Sequence, residues 1–464
     1  MNTILHIGVG AFHRAHQAVY LQALHETGDS SWSIVGGNIR DDQPDTMAAL
    51  TAQNGEYTLE TVSPAGQRHY QRIRSIREVS PFDPTLKRLI EVGAQEATRI
   101  ISFTVTEAGY YLTPKHQLDP SHADLRADLD DGGARTIYGA LTAILRERVK
   151  QGGAPVALMN CDNLRSSGAR LRAGLLEFLA LRGEQDLRAW VEAFTSCPSS
   201  MVDRITPRPS PDVAERVKAA TGWDDRAPVM GEKFIQWVIE DSFIAGRPAW
   251  EKVGAEMVAS VHAHEEAKIR ILNATHSCVA WAGTLLGLSF IHEDMAVPAI
   301  RQMAWNYVTE DVLPCLDSAD HPSPIKLAAY RDVVLERFGN PHVCDTNQRV
   351  AMDGFSKLPG FIVPTLRECL ERGQVPAATA VLPALFFNVL ARWHRGELAY
   401  TYQDGVMDPA VAHGFFEAAD PLTAFCNDPL LWGPLAGDER LLTVLRAANA
   451  AVLVFLNEHR GGAH

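Results

Sequence analysis

Glu265, Lys268, Asn273 and His276 could do chemistry together within the stretch Glu265-Glu266-Ala267-Lys268-Ile269-Arg270-Ile271-Leu272-Asn273-Ala274-Thr275-His276. On an α-helix each residue turns by about 100°. With Lys268 at zero, Glu265 falls near roughly 60°, His276 near roughly 80° and Asn273 near roughly 140°, so the four share one arc. Ile269, Ile271, Leu272 and Ala274 are their apolar neighbours, so this helix is not fully exposed. A lysine, an amide and an imidazole on a partly buried face each need a partner or a pocket. Oxidation of an alcohol needs a base for the hydroxyl proton and donors for the oxygen that becomes negative. Lys268 can be that base if burial and nearby cations depress its pKa. The Asn273 amide can stabilise the oxyanion. His276 can orient the lysine or bind a substrate hydroxyl, and Glu265 can gate protons. The plainer reading of the same spacing is a surface helix with incidental polar residues.

A second candidate lies at the other end of the chain. Ile4-Leu5-His6-Ile7-Gly8-Val9-Gly10 is an apolar strand entering a glycine turn. Such glycines let the backbone approach a pyrophosphate seated on the following helix. His13 stands where the full GxGxxG pattern has its third glycine. The next expected strand, 32–36, is followed by Asn38-Ile39-Arg40-Asp41-Asp42. A carboxylate there, such as Asp41, can bind the ribose hydroxyls and repel a 2′-phosphate, favouring NAD over NADP. Arg40 points the other way, because it could hold that phosphate. The alternative for Asp41 and Asp42 is a solvated turn.

Segments 4–9, 32–36, 57–62, 69–75, 99–105 and 156–159 read as strands; 14–24, 84–92 and 134–151 read as helices. This alternation predicts an α/β domain with a parallel sheet covered on both faces. From about residue 262 the pattern turns helical, over 268–286, 296–312, 328–337, 377–395 and 440–458. The expected division is residues 1–258, a Rossmann-type nucleotide-binding domain, and 259–464, a mostly α-helical substrate and catalytic domain.

Bulk properties exclude several classes. A net charge of -13 disfavours a nucleic-acid partner. Seven scattered cysteines, without a CxxC pair, suggest a reducing compartment rather than a disulfide framework. No Cys/His cluster has zinc spacing, so no metal is expected. The N-terminus lacks signal-peptide character, and the most apolar segments, such as 278–291, are too short to span a bilayer. A cytoplasmic protein with no membrane partner is expected.

Several motifs, in order, carry a resemblance. They are Gly8-Val9-Gly10-Ala11-Phe12-His13-Arg14-Ala15-His16-Gln17, Thr104-Val105-Thr106-Glu107-Ala108-Gly109-Tyr110, Asn160-Cys161-Asp162-Asn163 and Met201-Val202-Asp203-Arg204-Ile205-Thr206-Pro207. Gly246-Arg247-Pro248-Ala249-Trp250-Glu251, the set Lys268, Asn273 and His276, and Asp353-Gly354-Phe355-Ser356-Lys357 follow. Over nearly its whole length the chain resembles the polyol-specific long-chain dehydrogenases, the mannitol dehydrogenase family.

The resemblance implies a metal-independent, NAD-linked oxidation of a secondary alcohol of a sugar alcohol to a ketose. D-Arabinitol to D-xylulose is the preferred reaction and D-mannitol to D-fructose the second. It implies Lys268 as general base, Asn163 and Asn273 as oxyanion donors, and Glu265 near the proton exit. Asp203, His276, Arg349 and Lys357 are implied as polyol-binding residues. Gly8, Gly10, Phe12, His13, Arg14, Asp41, Thr106 and Glu107 are implied at the cofactor. The start of the chain at its first nucleotide-binding strand resembles the shorter arabinitol-type members, and a monomer is expected. A reductase of a uronate or sugar phosphate is the alternative, since Arg349 and Lys357 could pair with an anion. An NAD-sensing protein without catalysis is a third reading, which the intact Lys268, Asn273 and His276 set argues against.

Overall fold

The computed structural model describes residues 1–113, 116–207, 210–319 and 322–459, except the side chain of Glu107. Contacts divide the chain into two compact units, Met1–His262 and Ala263–His464.

The first unit is built on six parallel strands: Asn2–Ile7 (β1), Trp32–Gly37 (β2), Ile76–Ser80 (β3), Thr98–Phe103 (β4), Val156–Asn160 (β5) and Thr195–Ser196 (β6). Their order is β3-β2-β1-β4-β5-β6. Both faces are buried, as an all-parallel sheet requires. Ile4, Ile34, Ile100 and Ala157 point into one apolar cluster with Ala18, Leu21 and Leu24. Their sequence neighbours Leu5, Val35, Ile101 and Leu158 point into another, with Leu89, Leu141 and Leu145. This is the period-two alternation of a strand realised on both sides at once.

Some sequence expectations need correction. The helix expected over 14–24 is two helices, Ala11–Ala15 and Gln17–Glu26, broken at His16, whose φ and ψ are -128° and -90°. Tyr57–Val62 and Arg68–Ile73 are strands, but they do not enter the parallel sheet. They pair antiparallel, with Val229–Glu232 alongside, as a separate three-stranded sheet. A third small sheet sets Gln236–Glu240 between Glu256–Val258 and Ser200–Asp203.

The second unit is helical. Ala377–His394 and Glu439–Glu458 pack together, and Ala377–His394 also packs on Ala274–Leu286, around Trp281, Phe386, Phe425 and Trp432. Glu439–Glu458 is long and apolar enough to cross a membrane by length and composition, contrary to the expectation of short apolar segments only. Its Leu441, Leu445, Ala448, Val452 and Phe455 face the core, which accounts for much of that apolarity. The expected helix 268–286 begins with a π-helical turn, Lys268–Asn273, before Ala274–Leu286 continues as α-helix. Further π-turns occupy Tyr307–Val312 and Leu358–Ile362.

Candidate active site

In the first unit the candidate residues collect at the C-terminal ends of neighbouring parallel strands, where α/β sheets bind ligands. Gly8 follows β1, Asp41 follows β2, Thr106 follows β4 and Asn163 follows β5. The strand order reverses between β1 and β4, which is the switch point of such a sheet.

The glycine turn is fixed from several sides. Gly8 has φ 101°, and a Cβ there would lie 2.2 Å from the Thr104 carbonyl oxygen. The Gly8 amide donates to the Gly37 carbonyl at 2.9 Å, and the Val9 amide to Asn38 Oδ1 at 2.8 Å. Beneath the turn His6 stacks on His13 with ring centroids 3.4 Å apart. His6 Nδ1 lies 2.8 Å from Ser102 Oγ, and burial pushes its pKa down to about 3. Burial, with the Arg14 charge beside it, also holds His13 well below the ordinary histidine range, so both rings are neutral at pH 7. Arg14 donates to the Ala227 carbonyl at 2.5 Å and lies over the Tyr57 ring. The side chains of His13 and Arg14, assigned to the cofactor from sequence, are therefore buried in the domain interior and brace the turn. Any cofactor contact there falls to backbone. Phe12 is half-buried, stacked on His16 at 5.0 Å.

After β4, the Asp162 carboxylate accepts from the Thr106 amide at 2.9 Å, the Val105 amide at 3.0 Å and the Tyr110 hydroxyl at 2.6 Å. Burial nevertheless raises the Asp162 pKa. Thr106 is exposed with φ 65°, an unfavourable conformation for a β-branched residue that costs about 1–3 kcal/mol. The Glu107 side chain lies outside the described residues. Asp41 is exposed, while Arg40 beside it donates to Asp124 at 2.8 Å and to the Tyr111 hydroxyl at 2.5 Å. Asn163 is exposed; Asp203 is buried at the end of its strand. The Arg204 guanidinium next to it donates to the backbone carbonyls of Glu232 and Ala15.

The second unit assembles charge instead. Glu265 and Lys268 are buried, and Asn273 and His276 are half-buried. A π-turn bonds residue i to i+5, so Asn273 stands one turn along from Lys268 on the same side. Glu265 precedes Lys268 by three positions and His276 follows Asn273 by three, the spacing of neighbours on an α-helix. The π-turn thus gathers the four onto a narrower face than the regular α-helix expected from sequence. Arg270 anchors it: its guanidinium binds Glu266 at 2.8 Å and Glu368 at 2.7 and 2.9 Å, and its carbonyl accepts from the Tyr307 hydroxyl at 2.8 Å.

His276 leads to a residue that sequence reasoning missed. Its Nε2 lies 3.3 Å from Asp345 Oδ2, and its ring stacks on Phe338 at 4.4 Å. Asp345 also accepts two hydrogen bonds from Arg349, at 2.7 and 2.5 Å. Burial opposes ionisation of Asp345, but His276 and Arg349 outweigh it and hold the carboxyl well below its usual range. Burial lowers the His276 pKa against the pull of Asp345, leaving the imidazole neutral at pH 7. Lys357 Nζ donates to the Val350 carbonyl at 2.7 Å, and burial pushes its pKa down to about 8, Arg349 adding to the effect. His276 and Arg349 thus meet on Asp345, and Lys357 lies close enough to feel its charge. The one sequence signal for Asp345 was its opposite charge four residues before Arg349. Among the described residues no group of three His, Cys, Asp or Glu side chains is arranged to hold a metal ion.

Comparison with known proteins adds the following. A family model for the mannitol dehydrogenase Rossmann domain matches residues 2–252, and one for the mannitol dehydrogenase C-terminal domain matches residues 260–421. D-arabinitol 4-dehydrogenase of Ralstonia nicotianae is 62% identical over 451 residues, covering 97% of this chain and 96% of the relative. The enzyme of the same name from Klebsiella pneumoniae is 53% identical, covering 98% and 99%. Among solved structures, Pseudomonas fluorescens mannitol 2-dehydrogenase in ternary complex with NAD and D-mannitol superimposes with a TM-score of 0.85 and 31% identity, covering 100% of this chain and 95% of that one.

Proposed function

The chain belongs to the mannitol dehydrogenase family, and from that premise we propose that it is an NAD-dependent polyol dehydrogenase oxidising D-arabinitol to D-xylulose. D-Mannitol to D-fructose is the second candidate. The observation that carries this reading is the buried Lys268 sharing one helical face with Asn273 and His276, in a chain 62% identical to a D-arabinitol 4-dehydrogenase.

The residues present fit NAD. The Gly8 turn leaves no room for a Cβ, keeping its backbone bare for a pyrophosphate, with Gly10 and Phe12 in the same turn. Asp41 suits the ribose hydroxyls, and the engagement of Arg40 by Asp124 disfavours a 2′-phosphate. Thr106 and Glu107 are proposed to contact the cofactor. Bound there, NAD supplies the hydride acceptor.

The chain's own residues handle the proton and the oxygen. Lys268 Nζ takes the hydroxyl proton. The Asn273 and Asn163 amides donate to the oxygen as it gains charge. Glu265 passes the proton onward. Neutral His276, oriented by Asp345, binds a neighbouring hydroxyl, and Asp203, Arg349 and Lys357 bind the others. Reduction of a uronate or sugar phosphate is disfavoured because Asp345 already offsets the Arg349 charge. The seven free cysteines agree with a cytoplasmic protein, proposed to act as a monomer without nucleic-acid or membrane partners.

The test is the initial rate of NADH formation over a panel of neutral polyols at mildly alkaline pH, repeated with NADP and with a chelator. Activity on D-arabinitol that prefers NAD and survives the chelator is expected. A silent panel, with reduction of a uronate or sugar phosphate instead, would overturn the substrate.

A further inference from the structure

Two thiols meet behind the π-turn that carries Lys268. Cys315 Sγ and Cys369 Sγ are 3.7 Å apart, one half-buried and the other fully buried. A disulfide bond is about 2 Å long, so a side-chain adjustment of under 2 Å closes the gap. The two cysteines lie on the elements that hold the π-turn. Cys369 follows Glu368, the carboxylate that grips the Arg270 guanidinium. Cys315 belongs to Leu313–Leu316, which continues directly from the π-turn Tyr307–Val312; Tyr307 holds the Arg270 carbonyl. Arg270 stands two residues after Lys268.

We infer that Cys315 and Cys369 form a hydroperoxide-sensitive thiol pair whose closure to a disulfide slows the enzyme through Glu368, Tyr307 and Arg270. The roles of the two sulfurs differ. Cys315 is the reachable one, and the Cys369 thiol beside it holds its pKa down against burial and the Glu368 carboxylate, with Arg372 and Arg270 adding positive charge. Cys315 and burial together raise that of Cys369. Arg372 donates to the Pro314 carbonyl at 2.8 Å, which keeps its charge next to Cys315. A thiolate is the nucleophile in such chemistry.

The Cys315 thiolate attacks a hydroperoxide oxygen. A sulfur–oxygen bond forms, the oxygen–oxygen bond breaks, and an alcohol (or water) leaves, giving the sulfenic acid. Cys369 then attacks that sulfur. The disulfide forms, the sulfur–oxygen bond breaks, and water leaves with the Cys369 proton. Two thiols lose two electrons to one hydroperoxide, and a dithiol reverses the change by exchange.

The experiment treats the full-length chain with hydrogen peroxide, alkylates the remaining thiols, maps the cross-link by peptide mass and measures polyol oxidation before and after dithiothreitol. It uses a Cys344→Ser background, because exposed Cys344 adjoins Asp345. A peptide pair linking Cys315 to Cys369, lighter by two hydrogens, is expected. Turnover should fall about five-fold and return with dithiothreitol, and Cys315→Ser, or Cys315→Ala if the serine variant does not fold, should keep its rate under peroxide. Both thiols alkylated after peroxide has oxidised the surface methionine Met1 would overturn the pair. A fully cross-linked chain turning over as fast as the dithiol form, or a Cys315 variant inactivated as strongly as its parent, would overturn its effect on catalysis. The mass measurement stands apart from the polyol assignment; the rate rests on it and uses whichever substrate the panel selects.

Discussion

The unit Met1–His262 shapes its candidate site with backbone: a glycine at φ 101°, a threonine at φ 65°, and amides pinned by Asn38 and Asp162. The unit Ala263–His464 builds its part with ionisable side chains held by other ionisable side chains, as in Arg270 with Glu266 and Glu368, or Asp345 with His276 and Arg349. The difference follows from the ligands proposed for each. A pyrophosphate is recognised by close approach of bare amides. An alcohol losing its proton needs a base and oriented donors. Adding a Cβ should therefore damage the first unit, and removing a charge the second.

The largest effect is expected for Lys268→Ala, whose kcat should fall about a thousand-fold, the scale of a lost general base, in steady-state assays with D-arabinitol. Gly8→Ala should raise KM for NAD about ten-fold and change kcat less, because the Cβ forces the turn off the Thr104 carbonyl at a cost of about 1–3 kcal/mol. Equal damage to polyol KM in that variant would break the division between the units. Asp345→Asn leaves His276 and Arg349 without their carboxylate; KM for the polyol should rise about ten-fold with NAD affinity unchanged. The smallest effect concerns pH. Lys357 has a folded-state pKa lowered to about 8, so its charge is lost as pH rises through that value. The polyol KM should increase on the alkaline side, and Lys357→Met should flatten that dependence.

Much of this organisation was legible in sequence, and the limits have physical causes. Alternating strand and helix signals located four of the parallel strands, 4–9, 32–36, 99–105 and 156–159, and missed Ile76–Ser80 and the two-residue Thr195–Ser196. The pattern could not tell which sheet a strand joins, so 57–62 and 69–75 looked like members of the parallel sheet although they form their own hairpin. Periodicity placed Lys268, Asn273 and His276 on one side, but composition does not distinguish a π-turn from an α-turn. His13 and Arg14 came to the cofactor through the resemblance alone, and their stacking on His6 and bonding to Ala227 inside the domain had no signal in the local sequence. Asp345 showed only its opposite charge four residues before Arg349, because its significance depends on His276, far away in sequence.

The division between the units is tested most directly by NADH binding to Lys268→Ala, followed by fluorescence titration beside the wild-type chain. The expected result is a Kd within about two- to three-fold of wild type, roughly the 0.5 kcal/mol typical of a change away from the binding contacts. A large loss of NADH affinity would contradict the account, because Lys268 would then belong to cofactor binding and the collapse of turnover would no longer identify it as the base.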